Sequence, residues 1–308
     1  MRDRAALVAF AQESISRGSK SFRFASRLFD RTTRERVWLL YAWCRKCDDM
    51  ADGQDHGGAM EAVTDPQARV QVIRQLTAMA LAGTPTNEPA FDCLGVVARE
   101  CGITSRMAED VIEGFALDAA DWRPRRESDL YQYCYHVAGA VGVMMAVVMG
   151  VPADDDATLD RACDLGLAFQ LANIARDIAE DDSAGRCYLP DDWLAMVDIG
   201  PGEHMKPHNR KKLALIGRWL ADEAEQYEAS ARVGAKHLPL RARWAVLSAA
   251  GIYGDIARKV RAAQAHAWDQ RIFTSRPEKF RWVRKAFVDA IANNPRDTNR
   301  DMLWTRVR

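Results

Sequence analysis

A chain of 308 residues, 48% hydrophobic and 28% charged, has the balance of an ordinary soluble globular protein with room for a sizeable core. Its 43 basic residues equal its 43 acidic ones, so no global field draws it to nucleic acid, which is excluded from the expected partners. The seven cysteines are odd in number and form no spaced framework. With no signal peptide at the start, they read as reduced thiols of a cytoplasmic protein. Cys44 and Cys47 make an isolated C-x-x-C inside a predicted helix with no strand before it, which argues against a redox or zinc motif.

Strand signals are almost absent and helix punctuation recurs throughout. Asp30 is placed to cap a helix through "RTTRERVWLLYAWCRKCDDMAD" that stops at Gly53, with Glu35 in its early turns. Asp65-Pro66 opens another that ends near Gly83, and Asn87 begins one that closes at Gly102. Thr104 or Ser105 starts the next, reaching about Asp121. Ser128 or Asp129 precedes an apolar helix ending at Gly150. Its longest apolar run, "VAGAVGVMMAVVMGV", falls short of the about 20 residues of a membrane span and reads as a buried helix. Gly139, Ala140 and Gly142 leave space beside that backbone. A long helix covers roughly Asp156 to Asp182, and a loop with Gly and Pro follows. The segment "NRKKLALIGRWLADEAEQYEASARVGAKHL" is amphipathic, as are those near 240 to 268 and 276 to 293. No Gly-, Ser- or Pro-rich linker divides the chain and no short repeat appears. A single all-α domain over residues 1–308 is expected.

Two acidic clusters stand out. In "CRKCDDMAD" a helix puts Asp48 and Asp52 one turn apart on one face, with Arg45 on the same side. Like charges at that spacing repel, so something must offset them, or the face is simply solvated. Far along the chain, "FQLANIARDIAEDD" stacks Asn173, Asp177 and Asp181 at i, i+4 and i+8, with Gln170 at the border. Leu171, Ile174 and Ile178 give that helix another side to bury. If the two columns face each other, they form a cage of hard oxygen ligands suited to magnesium on a substrate diphosphate. Arg45 and Arg176 can add charge-assisted hydrogen bonds to diphosphate oxygens. One such column alone would be read as a solvated face; the pair, with flanking arginines and an Asn at a ligand position, is harder to dismiss.

The pair "DDMAD" and "QLANIARDIAED", followed by "GRCYLPDDW" (185 to 193), resembles the squalene and phytoene synthases. The resemblance extends to "SRGSKSFRFAS" (16 to 26) and "YQYCYHVAGAVG" (131 to 142), and covers most of residues 14 to 275. It implies an all-α isoprenoid synthase bundle whose helices surround a central cavity. It also implies a magnesium-dependent, or manganese-dependent, condensation of two geranylgeranyl diphosphates head to head. The expected product is 15-cis-phytoene, formed through a cyclopropylcarbinyl diphosphate, in carotenoid biosynthesis.

By resemblance, Asp48, Asp52, Asn173, Asp177 and Asp181 hold the metal, and Asp48, Asp52, Asp177, Arg45 and Tyr253 carry catalysis. Ser19, Ser21 and Phe22 match a substrate-contacting segment, although on the residues alone an N-cap serine beside a core phenylalanine is the plainer reading. Tyr41, Tyr133 and Tyr253 fall where the family has cavity tyrosines, whose faces can stabilise a carbocation; a structural tyrosine is an equal reading for Tyr41. Gln170, Asn173 and Arg176 border the substrate. Arg271 resembles a late basic residue that closes over a diphosphate, with an exposed arginine as the alternative. Met50 and Ala51 stand where bulkier aliphatics are frequent in the first motif, while its carboxylates all remain.

Small or flexible groups at Ser26, Gly139, Gly142 and Ala146 make room for a twenty-carbon tail. The alternatives are a thirty-carbon synthase using farnesyl diphosphate, or a non-catalytic assembly factor of the same fold, which would be expected to lose metal ligands. Basic stretches at 123 to 126, 206 to 212 and 276 to 285 read mainly as solvated surface. A water-insoluble product also makes peripheral membrane contact and hand-over to downstream carotenoid enzymes expectations.

Overall fold

The computed structural model describes residues 3–18, 25–52 and 65–307, with Asp52 described by its backbone alone. Ser19, Ser21, Phe22 and the Asp52 side chain therefore lie outside the described residues. Helices and no strands occur among those described. The contacts group them into two compact units, each built from two stretches of chain: residues 1–120 with 143–159, and 121–142 with 160–308.

In the first unit α1 (Arg4–Gly18) was not among the predicted elements. It buries Leu7, Ala11, Ser14 and Ile15, of which only Leu7 and Ile15 are large apolar groups, so the periodic signal is weak. Helix α2 (Arg31–Asp52) starts where predicted, because the Asp30 carboxylate accepts the Thr33 amide at 3.0 Å. That bond and the Thr33 hydroxyl hold the Asp30 carboxyl below its ordinary pKa. Asp65 likewise accepts from the Ala68 amide ahead of α3 (Pro66–Leu81). Helix α4 (Pro89–Cys101) begins later than Asn87, since Pro89 fixes the first turn and Glu88 takes the cap position. Asn87 itself adopts a left-handed φ of 62°. Thr104 caps α5 (Ser105–Ala119) through the Met107 amide. Helix α2 packs on α1 and α4, and α3 on α4 and α5. The fully buried Trp43 anchors α2 to α3 by donating its indole N–H to the Thr77 hydroxyl at 3.2 Å. Full burial of each such apolar side chain stabilises the unit by about 1.5–3 kcal/mol.

The second unit opens with α6 (Glu127–Cys134). Asp129, expected before the helix, sits in its first turn and accepts the amides of Arg125 and Arg126, both at 3.0 Å. The apolar helix is not continuous: a π-helical turn, Tyr135–Gly139, precedes α7 (Ala140–Val148), whose residues from 143 on belong to the first unit. Helix α8 (Asp156–Ser183) matches its predicted span, and the loop after it contains the short α9 (Asp191–Met196). Helices α10 (Arg210–Gly234), α11 (Leu240–Ala263) and α12 (Arg276–Ala292) follow, with α11 packed against both neighbours.

The π turn and α8 cross at backbone contact. A Cβ on Gly166 would lie 2.4 Å from the Ala138 carbonyl oxygen, and one on Gly142 would lie 2.6 Å from that of Ala162. Only glycine permits so close an approach at both points. Beyond α12 the chain runs without helix along α8, where Arg300 donates twice to the buried Asp164 at 2.7 Å and Arg306 donates to Asp160 at 2.8 Å. No helix among the described residues is long and apolar enough to cross a membrane.

Candidate active site

The first motif lies on the last two turns of α2. Arg45 reaches down the helix with its whole guanidinium occupied: Nη1 meets Asp48 at 2.8 Å, while Nε and Nη2 meet Asp49 at 2.9 and 2.5 Å. Asp49, between the two carboxylates that the spacing picks out, is the buried one that anchors Arg45. Asp48 also meets the arginine but is half-exposed at 42%, so it is the carboxylate of this pair that is presented outward. Burial raises the Tyr41 hydroxyl's pKa, with Arg45 opposing. That hydroxyl lies against the backbone of Gly18, at the end of α1. Burial also pushes the Cys44 thiol up to about 12 and Cys47 well above its ordinary value, and both are free, which suits inert structural thiols.

The second motif lies on α8. Leu171, Ile174 and Ile178 are buried, as the periodicity predicts, and turn Asn173, Asp177 and Asp181 towards the partly exposed side. Asp177 is clasped by two arginines: Arg176 donates Nε at 2.7 Å and a second, shorter bond from Nη2, and Arg271 approaches to 3.0 Å. Arg271 also comes within 3.9 Å of Glu180. Asp181 differs. Burial and then repulsion from Asp177 raise its pKa to about 6, Arg186 opposing. Neither Asp181 nor Asn173 has a side-chain partner among the described residues, so their oxygens are open for a ligand. Gln170 borders the face, partly exposed.

The aromatic residues part company. Tyr253 stacks on Phe169 of α8 with centroids 4.3 Å apart, and its field reaches Arg176. Tyr133 is buried in a stack between Trp122 at 5.5 Å and Tyr188 at 4.8 Å. Ser26 is buried and accepts the Trp38 indole N–H at 3.0 Å. His204 is buried, and its Nε2 sits 3.2 Å from Asp182 at the end of α8. Trp268 donates to the carbonyl of Ala175, just before Asp177 on α8, at 3.0 Å. Neither His204 nor Trp268 had a local sequence signal, because each meets α8 through tertiary packing.

Among the described residues no three His, Cys, Asp or Glu side chains cluster tightly enough to bind a metal by themselves. A hard divalent cation bound together with a diphosphate takes only one or two protein carboxylates. The open oxygens of Asn173 and Asp181, and the unfavourably placed charge on Asp181, are donors of the right hardness for such a shared site.

The helices and these two motifs define the all-α isoprenoid synthase fold. Residues 15–278 match the squalene/phytoene synthase family, and the chain belongs to it. It is 46% identical over 307 residues to the 15-cis-phytoene synthase of Pantoea ananas, covering 97% of this chain and 98% of the relative. A phytoene synthase of Pseudescherichia vulneris is also 46% identical, with the same coverage. The fold matches the crystal structure of a dehydrosqualene synthase with ligand at a TM-score of 0.82 and 26% identity, over 94% of this chain and 98% of that one. A squalene synthase of Alicyclobacillus acidocaldarius shares the fold at a TM-score of 0.75 and 21% identity, over 85% and 95% of the two chains. Enzymes of this prenyl diphosphate type generally use a divalent metal.

Proposed function

We propose that this chain is a 15-cis-phytoene synthase, a prenyl-transferring enzyme of carotenoid biosynthesis that joins two geranylgeranyl diphosphates with magnesium. One observation carries the reading to this site. Each acidic motif holds its arginines on carboxylates: Arg45 on Asp48 and Asp49, Arg176 and Arg271 on Asp177. Such guanidiniums are stored in place, and they can turn to diphosphate oxygens when cations take over the carboxylates.

Asp48 and Asp52 of the first motif, and Asn173, Asp177 and Asp181 of the second, would hold the metal. Bound magnesium supplies the charge neutralisation that lets an allylic diphosphate leave. Arg45, Arg176 and Arg271 then bind the departing diphosphate and keep it from recombining. The allylic cation at C1 is attacked by the C2–C3 double bond of the second substrate, and proton loss closes the cyclopropane. Departure of the second diphosphate, ring rearrangement and loss of another proton give the triene. The stacked faces of Tyr253 and Phe169 offer a π surface for these cations. Ser19, Ser21 and Phe22 would contact the substrate.

The test is metal dependence. Chelator abolishes product formation from geranylgeranyl diphosphate, and magnesium or manganese restores it; undiminished turnover in metal-free buffer defeats the assignment of the site.

A further inference from the structure

We propose that the outward face of α12 is a docking surface for an anionic lipid bilayer. Phe280, Phe287, Val288 and Ile291 are 65%, 43%, 64% and 58% exposed. From Phe280, steps of seven, eight and eleven residues return to within about 100° on a helix, so the four form one stripe. The opposite side of α12 is already occupied. Ala286 and Ala290 pack into a core with Leu247, and Trp244 of α11 donates to the Val283 carbonyl at 2.9 Å. Phe273, just ahead of the helix, is 70% exposed as well. An apolar stripe left facing water on a packed helix costs free energy unless something covers it.

The charges around the stripe identify what covers it. Both acids of α12 are engaged: Glu278 by Lys259 at 2.6 Å, and Asp289 by Lys285 at 2.7 Å. Arg276, Arg281 and Arg284 have no carboxylate partner among the described residues; Arg281 only leans over the Trp282 ring. The other basic stretches are engaged in part. Arg123 holds the Gly185 carbonyl, Lys206 pairs with Glu203 and Arg210 with Asp269. The α12 face therefore presents aromatic and aliphatic groups with Arg284 among them and Arg276 and Arg281 at the borders, the pattern of an interfacial helix on anionic lipid. A second copy of the chain is a poorer occupant, since a two-fold contact would set these arginines against themselves. The proposed function supplies only the purpose: a lipid substrate and a water-insoluble hydrocarbon product are exchanged at a bilayer.

The experiment is co-sedimentation of the full chain with vesicles of phosphatidylcholine alone, or of phosphatidylcholine with phosphatidylglycerol. The chain is expected to pellet with the anionic vesicles and to be released by salt. Phe280→Ser with Ile291→Ser lowers that partition about tenfold or more, from the lost apolar burial. Arg281→Glu with Arg284→Glu removes the preference for anionic lipid. Both variants keep wild-type turnover on detergent-dispersed substrate, which shows that they fold. Equal pelleting of wild type and variants, no pelleting with either vesicle, or a wild-type dimer that Phe280→Ser dissociates would overturn the proposal. Vesicle binding by a chain that turns over no prenyl diphosphate would leave this surface standing and remove the proposed function instead.

Discussion

Replacing Gly166 with Ala puts a methyl group where the Ala138 carbonyl oxygen lies 2.4 Å away and the Gly139 Cα 2.6 Å away. Carbon and oxygen in ordinary contact sit about 3.3 Å apart, so the π turn and α8 must separate by about 1 Å. Both obstructing atoms are backbone and cannot rotate aside. Overpacking of this kind costs about 1–3 kcal/mol, and the better helix propensity of Ala returns up to about 1 kcal/mol. The net loss of about 1–2 kcal/mol corresponds to a fall of about 2–8 °C in the unfolding midpoint, at roughly 2–4 °C per kcal/mol for a unit of this size. The catalytic consequence is larger. Asn173 and Asp177 ride on the same helix two and three turns on, and misplacing a reacting group by about 1 Å costs up to about 100-fold in rate. Thermal unfolding followed by circular dichroism, together with steady-state turnover, measures both. A variant that unfolds at the wild-type temperature would refute the close crossing, and a destabilised variant with unchanged kcat would refute its role in placing the α8 ligands.

Asp177→Asn should lower kcat by about 10²–10³-fold. The spacing of like charges suggests that its loss relieves strain, but two arginines already neutralise Asp177, so the unfolding temperature should move little; near-wild-type turnover would contradict the ligand role. Arg300→Ala strands the carboxyl of Asp164, which burial raises above its ordinary pKa even with Arg300 opposing. A raised carboxyl costs stability as pH climbs through its titration, so the deficit, about 3–5 kcal/mol near neutrality, should shrink towards pH 5. Asp160 and Arg306 face the same pair and stay in place, so a deficit that is flat with pH in thermal melts would show that the Asp164 charge is not the penalty. Ser26→Phe also breaks the Trp38 hydrogen bond and will slow turnover generally; the informative quantity is the substrate ratio, expected to shift from geranylgeranyl towards farnesyl diphosphate. An unaltered ratio would remove Ser26 from the tail pocket.

Helix starts were legible wherever a side chain caps its own neighbour, as Asp30, Asp65 and Thr104 do, because the signal and the bond lie within three residues. Where two local signals compete, the boundary shifted: Pro89 overrode Asn87, and Asp129 turned back into its helix instead of preceding it. The acidic columns were legible for the same reason, since residues four apart share a face whatever the tertiary structure. What spacing could not convey is pairing across the fold. It picked out Asp48 and Asp52 and passed over Asp49, yet burial makes that residue the seat of Arg45. It noticed Gly142 but not Gly166, whose need for glycine exists only because another helix crosses there. The π turn has no compositional mark in an apolar run, and the anchoring of residues 293–307 by Arg300 depends on an aspartate 136 positions earlier.

The most direct measurement of the central claim is the identity of the hydrocarbon. Purified chain is supplied with geranylgeranyl diphosphate or farnesyl diphosphate, each with magnesium, and the extract is resolved by chromatography and mass spectrometry. The account predicts a forty-carbon triene, phytoene, from geranylgeranyl diphosphate, with much less product from farnesyl diphosphate. Thirty-carbon hydrocarbon alone would contradict the phytoene assignment while leaving head-to-head coupling intact, and no hydrocarbon from either substrate would contradict the enzyme itself.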